Sequence, residues 1–233
     1  MDAADSAKQT PNENLHTAAV DELYHFAVNN FPKLDSDHNG YISKEELDNA
    51  LQVGTYQGAD AAKVRALRDH VDDIAKLSDD GWFTQAKGIS PQDLVQLDYL
   101  WDKRNTNISY AERIADFGAA NFDKLDFDKR GQLMGYEIVA EHGDGCYAPE
   151  KQAIVGSMSA PDRDSFMLLH RNLSYIGHSE PVPEGIWMCK PYQYTTQYGI
   201  TREELAAYPK AVAHRPQYGL INQLNTELKI TDR

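Results

Sequence analysis

An internal repeat constrains the fold of this chain more than any other feature. Shifting the sequence by 91 residues aligns FPKLDSDHNGYISKEEL, which begins at Phe31, with FDKLDFDKRGQLMGYEI, which begins at Phe122, without a gap. Apolar residues align with apolar residues and acidic residues with acidic ones: Leu23 with Ile114, Phe26 with Phe117, Leu34 with Leu125, Asp35 with Asp126, Asp37 with Asp128, Ile42 with Leu133, and Glu46 with Glu137. We therefore expect two copies of one structural unit that bury matching faces.

A second pair of similar segments follows the first pair. In each copy, apolar residues recur at the 3, 4, 3 spacing of one helix face: Val64, Leu67, Val71 and Ile74 in the first copy, and Phe166, Leu169, Leu173 and Ile176 in the second. GISPQDL, from Gly88 to Leu94, and GITREEL, from Gly199 to Leu205, then both resemble YISKEEL, from Tyr41 to Leu47. Each copy is thus predicted to hold one well-formed helix-loop-helix and one degenerate partner.

The size and charge of the chain exclude several functional classes. With 233 residues, 41% of them hydrophobic, the chain can bury a core in one large domain or in two ordinary ones. The net charge of −13 argues against nucleic-acid binding, which needs clustered Lys and Arg. No apolar run approaches the roughly 20 residues of a membrane-spanning helix, and the acidic first residues do not resemble a signal peptide. We expect a soluble protein, and its compartment stays open.

The segment DSDHNGYISKEE presents oxygen atoms at the positions from which a twelve-residue loop binds calcium. Asp35, Asp37 and Asn39 occupy loop positions 1, 3 and 5. Glu46 occupies position 12, where it can supply two oxygens, and the backbone carbonyl of Tyr41 would add a ligand at position 7. Calcium is a hard cation that takes 6 to 8 oxygens, so these residues are the predicted metal ligands.

Residues Val20 to Leu51 resemble the EF-hand family, because amphipathic helical segments flank this loop and Gly40 stands at its sharp turn. The resemblance implies a helix-loop-helix that binds Ca²⁺, with Ser43 acting through a water and Ile42 forming a short backbone bridge to a partner hand. The alternative is an Asx-rich turn followed by a capping box, in which Ser43 and Glu46 only cap the next helix. That alternative leaves the flanking amphipathic helices unexplained.

The second loop, DFDKRGQLMGYE, is an eroded copy of the first. It keeps Asp126, Asp128 and Glu137, but Arg130 replaces the oxygen ligand at position 5 and Met134 stands at position 9. The Arg130 guanidinium can swing outward and let water coordinate an ion, or it can point inward and bridge the carboxylates in place of an ion. Calcium binding at this loop is therefore left open.

The remaining two loops are longer and lack the ligand pattern. With Leu77 set on Leu34, Ile89 lies 12 residues on where a standard loop has 8, so this loop carries about four extra residues. Asp79 and Asp80 lie within it without the ligand spacing, and the last loop has a still longer insertion. Because one helix pair cannot cover its own apolar face, we expect both segments to be structural partner hands.

The predicted fold is all-α: a two-lobed array of paired EF-hand helix-loop-helix units with long loop insertions. A polar tail, 1–15, precedes an N-terminal lobe at 16–104, which holds an intact hand (18–52) and a degenerate hand (60–101). A C-terminal lobe at 105–233 holds an eroded hand (108–142), a degenerate hand (161–208) and a C-terminal extension. We expect a polar linker from Asp102 to Asn107, and a closing helix from Ala206 to Leu228.

Known catalytic signatures are missing from the sequence. It contains no HExxH, GxSxG, GxxxxGK or CxxC motif, so we expect that it is not an enzyme. A GxGxxA match at 143–148 follows a predicted helix rather than the strand that a dinucleotide site needs. His142, Asp144 and Cys146 lack an established metal-ligand spacing. Cys146 and Cys189 are either two free thiols or one bridge.

Methionine usage bears on the kind of calcium protein. Calcium sensors expose a Met-rich groove when loaded, but apart from Met1 the N-terminal lobe has no methionine. We expect calcium to be mainly structural or modulatory, in a module that presents a surface to a protein or peptide partner. One alternative is a secreted or periplasmic interaction module with a permanent calcium, in which the loop Pro181 to Tyr198 makes the contact. Another is an enzyme with an unrecognised site in the C-terminal lobe.

Overall fold

A computed structural model describes residues 18–78, 87–138, 156–176 and 199–231. These parts of the chain are helical and contain no β-strand, which confirms the predicted all-α class. In chain order the elements are α1 (Ala19–Leu34), α2 (Lys44–Gln52), α3 (Gly58–Asp69), α4 (Val71–Ile74), α5 (Pro91–Leu125), α6 (Gly135–Ile138), α7 (Ala160–Ile176), α8 (Arg202–Ala213), the 3-10 turn η1 (Pro216–Tyr218) and α9 (Gly219–Thr231).

Several features predicted from the sequence lie outside the described residues. They are the tail 1–15, Asp79 and Asp80, the segment 142–148 with its glycines, His142, Asp144 and Cys146, the second cysteine Cys189, and the loop Pro181 to Tyr198. The predictions about these segments therefore stay predictions.

The chain divides into two compact units, Met1–Asn105 with His214–Arg233, and Thr106–Ala213. The division falls within the segment Asp102 to Asn107, between Asn105 and Thr106, but this segment is a continuous part of helix α5 and not a separate polar linker. Arg104 in this segment is only 4% exposed, and its Nε donates to Asn222 Oδ1 at 3.0 Å within the first unit. Polar residues here therefore belong to a partly buried helix.

In the first unit, α1 and α2 flank the first predicted calcium loop. α1 has Asp21 and Glu22 in its first turn, where negative charge suits the helix dipole. The apolar residues of one α1 face are buried: Val20, Leu23, Phe26, Ala27 and Leu34. α2 begins at a capping box, in which the Ser43 hydroxyl accepts from the Glu46 N–H and the Glu46 carboxylate accepts from the Ser43 N–H. The start of α2 is thus fixed by its own sequence.

The C-terminal helix α9 completes the core of the first unit. Ile221, Leu224 and Leu228 are 0%, 0% and 6% exposed and pack in one cluster with residues of α1, α3 and the start of α5. His70, which follows α3, places Nε2 2.9 Å from Oε1 of Glu227. The predicted C-terminal lobe included these residues as an extension, whereas they belong to the first unit.

Two helices replace the single closing helix that was expected from Ala206 to Leu228. α8 ends at Ala213, η1 intervenes, and α9 begins at Gly219. Pro216 explains the break, because a residue before proline is pushed out of the helical region. Arg215 accordingly has φ −58° and ψ 143°.

In the second unit, the last part of α5 and the short α6 flank the second loop, and α7 and α8 complete the described helices. The predicted buried face of α7 is buried throughout: Phe166, Leu169, Leu173 and Ile176. The matching face in the first unit is buried too: Val64, Leu67, Val71 and Ile74. It is divided between α3 and α4, because the backbone leaves helical geometry at His70 (φ −114°, ψ 16°).

Truncation of Leu224 to alanine tests the place of α9 in the first core. Leu224 is fully buried, so Leu224→Ala should lower the free energy of unfolding by about 2–5 kcal/mol, through lost apolar contact and a residual cavity. Denaturant unfolding followed by circular dichroism, with hydrogen exchange at α1 and α3, measures the loss and locates it. The exposed neighbour Gln223 supplies the control, since Gln223→Ala should change stability by less than about 0.5 kcal/mol. Equal stabilities of the two variants would contradict the assignment of α9 to this core.

Candidate metal centre

In each unit, two loops are joined by a pair of backbone hydrogen bonds. The Ile42 N–H donates to the Ile89 carbonyl at 2.8 Å, and the Ile89 N–H donates to the Ile42 carbonyl at 2.9 Å. Leu133 and Ile200 exchange the same two bonds at 2.8 and 3.0 Å. All four side chains are at most 2% exposed. Each bridge therefore lies in a core and fixes one loop against the other, the contact that the sequence predicted for Ile42.

Asp35 organises the first half of the first loop. Its N–H caps α1 by donating to the Phe31 carbonyl at 2.8 Å, and the residue is 6% exposed. Its carboxylate accepts from the N–H groups of Asn39 and Gly40, both at 3.0 Å. To bring these groups inward the backbone turns through positive φ at His38 (58°) and Gly40 (87°). The loop therefore wraps around the Asp35 carboxylate.

Glu46 joins the two ends of the same loop. Its Oε1 accepts from the N–H groups of Ser36 at 2.7 Å and Asp37 at 3.2 Å, and its Oε2 accepts from the Ser43 N–H at 2.8 Å. The hydroxyls of Ser36 and Ser43 donate as well, at 3.1 and 2.9 Å. Burial raises the pKa of Glu46, but the hydrogen bonds from Ser43, Asp37 and Ser36 outweigh it and leave the pKa below its ordinary value. The carboxylate is thus held in its charged form.

Three of the five predicted ligands form one acidic cluster. Carboxylate oxygens of Asp35, Asp37 and Glu46 all lie within 4.8 Å of one another. Asn39 and Tyr41 lie beside this cluster: the Asn39 amide donates to Asp37 Oδ2 at 2.9 Å, and Asn39 Oδ1 accepts from the Tyr41 N–H at 2.9 Å. Such a set of oxygens suits a hard cation, so the cluster can hold a metal ion.

The second loop repeats the backbone of the first and gathers a second acidic cluster, Asp126, Asp128 and Glu137, also within 4.8 Å. Asp126 is 4% exposed and accepts from the N–H groups of Arg130 at 3.0 Å and Gly131 at 2.9 Å. The φ values of Lys129 (59°) and Gly131 (76°) match those of His38 and Gly40. The sequence repeat is therefore also a repeat of backbone geometry.

The surroundings of the second cluster differ from those of the first. Arg130 Nε lies 2.9 Å from Asp128 Oδ2, while the Arg130 side chain remains 65% exposed. The guanidinium therefore pairs with Asp128, one carboxylate of the cluster, while most of the side chain faces solvent. This position is intermediate between the two that the sequence left open, one turned outward and one bridging the carboxylates. Glu137 is only 1% exposed, and this burial raises its pKa. The N–H groups of Met134 and Asp128 donate hydrogen bonds that lower the pKa, and the charges of Asp128 and Asp126 raise it. The net pKa of Glu137 lies above its ordinary value.

The other two loops place an acidic residue where Glu46 stands in the first. Asp93 Oδ2 accepts from the Ser90 N–H at 2.8 Å, and Glu204 Oε2 accepts from the Thr201 N–H at 2.8 Å. Asp93 was not predicted as a site residue, although the alignment of GISPQDL with YISKEEL sets it on Glu46. The residues around Asp93 lack the oxygen spacing of a calcium loop, so the alignment was the only feature of the sequence that could have identified Asp93.

Comparison of the chain with protein-family models, with curated proteins and with solved structures finds no match. Among the described helices, none combines the length and the apolar character needed to pass through a bilayer. The geometry of the two acidic clusters therefore carries the inference about function.

The positive φ of Gly40 can be tested by matched alanine substitutions. Nothing within 4 Å would obstruct an added β-carbon at Gly40, so Gly40→Ala should cost only backbone strain, about 1–2 kcal/mol of unfolding free energy. Gly219 is the control: its surroundings are equally open, but its φ of −54° is helical, so Gly219→Ala should be neutral or slightly stabilising. Denaturant unfolding of the metal-free variants measures both. A Gly40→Ala variant as stable as Gly219→Ala would show that the loop does not require this turn.

Proposed function

We propose that this chain is a calcium-binding protein of the EF-hand type, whose first loop holds Ca²⁺ through Asp35, Asp37, Asn39, Tyr41 and Glu46. The observation that carries the proposal is the convergence of three carboxylates without a protein cation: within the described parts of the chain, no Lys or Arg pairs with Asp35, Asp37 or Glu46. A divalent cation would relieve the repulsion between these charges, and carboxylate, amide and carbonyl oxygens are the ligands that calcium prefers.

The arrangement of the loops supports pairing of the hands. The bridge between Ile42 and Ile89 would join the calcium-binding hand to a metal-free partner in the first unit, and the bridge between Leu133 and Ile200 would join the eroded hand to its metal-free partner in the second. In each partner loop an acidic residue, Asp93 or Glu204, caps the following helix. On this proposal the partner loops contribute structure rather than ligands.

We further propose that calcium is mainly structural or modulatory. Glu46 already joins both ends of the loop through hydrogen bonds, so an ion would reinforce an existing closure. The apolar residues of α1 and α3 also pack against Ile221, Leu224 and Leu228 of the chain's own C-terminal helix. Both features favour a calcium-stabilised module that presents its outer surface to a partner, over a switch that opens a groove.

Calorimetric titration of the chelator-stripped chain with calcium tests the ligand assignment. Glu46→Gln removes one carboxylate oxygen from the cluster and should weaken binding at the first loop at least tenfold, about 1.4 kcal/mol or more. Glu45→Gln is the matched control, because Glu45 is exposed and the change in charge is the same. The wild-type dissociation constant also separates two settings: about 10⁻⁶ M suits intracellular signalling, and about 10⁻⁴ to 10⁻³ M suits extracellular calcium.

No calcium binding by the wild-type chain, or equal affinities of the two glutamine variants, would overturn the proposal. Binding that raises neither the melting temperature nor the protection of amides in the first unit would leave calcium binding in place but overturn its structural role.

The second loop gives a separate prediction about Arg130. Replacement by the residue found at the matching position of the first loop, Arg130→Asn, removes the ion pair with Asp128 and restores an oxygen. Calcium affinity at this loop should rise at least tenfold. Lys129→Asn is the control, since it removes the same charge and asparagine tolerates the φ of 59° at that position. If both variants gain equally, net charge and not Arg130 limits binding.

A further inference from the structure

Asp93 is a buried carboxylate that closes the second loop of the first unit. It is 2% exposed, and its Oδ1 accepts from the Ser78 N–H at 3.0 Å and the Ser78 hydroxyl at 2.6 Å. Its Oδ2 accepts from the Ser90 N–H at 2.8 Å and the Ser90 hydroxyl at 2.6 Å. A charge this deeply buried is tolerated only when it is well hydrogen-bonded, and these donors meet that need. Asp93 therefore ties Ser78 and Ser90 to the first turn of α5.

Gly88 and Ile89, which precede Ser90, lie in close contact with Ile42 of the first loop. Ile89 exchanges the two bridge hydrogen bonds with Ile42. An added β-carbon at Gly88 would lie 2.4 Å from the Ile42 carbonyl oxygen, a separation that only glycine permits, and Gly88 also has a φ of 145°. The segment Gly88 to Ser90, which hydrogen-bonds to Asp93 through Ser90, therefore packs directly against the backbone of Ile42.

Ile42 in turn lies between two functional positions of the candidate calcium loop. It follows Tyr41, whose carbonyl is a proposed ligand, and precedes Ser43. The Ser43 N–H and hydroxyl both donate to Glu46 Oε2, at 2.8 and 2.9 Å. A contiguous series of hydrogen bonds and peptide links therefore runs from Asp93 to the Glu46 carboxylate.

We propose that Asp93 is a positioning residue for the calcium loop: by fixing Ile89 against Ile42, it sets the calcium affinity of the first loop without touching the ion. This inference rests on the proposed function. A carboxylate suits the task because it accepts from all four donors at once, whereas an amide offers one oxygen and turns its NH₂ toward serine donors.

The test compares Asp93→Asn with Glu204→Gln in the full chain. Glu204 is the corresponding capping carboxylate of the second unit, and it does not belong to the loop pair that contains Ile42. Calorimetric titration should give a calcium affinity about tenfold weaker for Asp93→Asn and unchanged for Glu204→Gln. Hydrogen exchange at the Ile42 and Ile89 amides should accelerate in Asp93→Asn, while α1 and α2 keep their protection. Asp93→Glu, which restores the charge, should recover part of the affinity.

A milder variant, Ser78→Ala, keeps the inference testable if Asp93→Asn fails to fold. Ser78→Ala removes one hydroxyl donor and should weaken calcium binding by a smaller factor. Gly88→Ala leaves Asp93 intact but pushes on the Ile42 carbonyl, so it should weaken binding as well, and its effect should combine with that of Asp93→Asn less than additively.

Wild-type calcium affinity in Asp93→Asn, or in both Ser78→Ala and Gly88→Ala, would overturn the positioning role, even if the melting temperature fell. A wild-type chain that binds no calcium would instead overturn the proposed function itself, so the two failures are distinguishable.

Discussion

The reciprocal backbone hydrogen bonds between paired loops fix where the acidic side chains lie. Ile42 with Ile89, and Leu133 with Ile200, are buried pairs whose side chains lie in the two cores. Because a buried backbone N–H or carbonyl must find a partner, neither loop of a pair can move alone without losing both bonds. The helices form the cores, and the bridge residues are buried in them, so the bridges hold the loops in a fixed position relative to the cores.

A second regularity lies directly after these bridges in the sequence. Each loop ends in a carboxylate that accepts from the N–H group three residues before it, at 2.7 or 2.8 Å: Glu46, Asp93, Glu137 and Glu204. In the first loop the same carboxylate also reaches the loop's beginning, through Ser36 and Asp37. The alternative of a simple capping box is thus correct as a description of Ser43 and Glu46, yet it is incomplete, because Asp35 and Asp37 converge on the same carboxylate.

Local patterns in the sequence predicted the features that local chemistry decides. The repeat predicted two loops with one backbone path, and the carboxylates of Asp35, Asp37 and Glu46 do come together. The polar segment Asp102 to Asn107 contains the division between the units, but it is helical and not a linker, because polarity alone does not show that a segment leaves a helix. The place of α9 could not be predicted either: apolar spacing shows that a face is buried, and says nothing about which distant helix covers it. The position of the Arg130 side chain could not be predicted, since the sequence is compatible both with pairing to a carboxylate and with an outward position.

The return of α9 to the first core has a consequence for biosynthesis. The other buried members of that core lie between Val20 and Leu97, and Thr106–Ala213, the whole second unit, is translated before α9. At about 5–20 residues per second, a ribosome needs on the order of 5–20 seconds for that stretch. Throughout this interval the nascent chain carries the apolar faces of α1 and α3 without the helix that covers them in the folded unit. The unit whose synthesis begins first is therefore the last to have all of its core residues available.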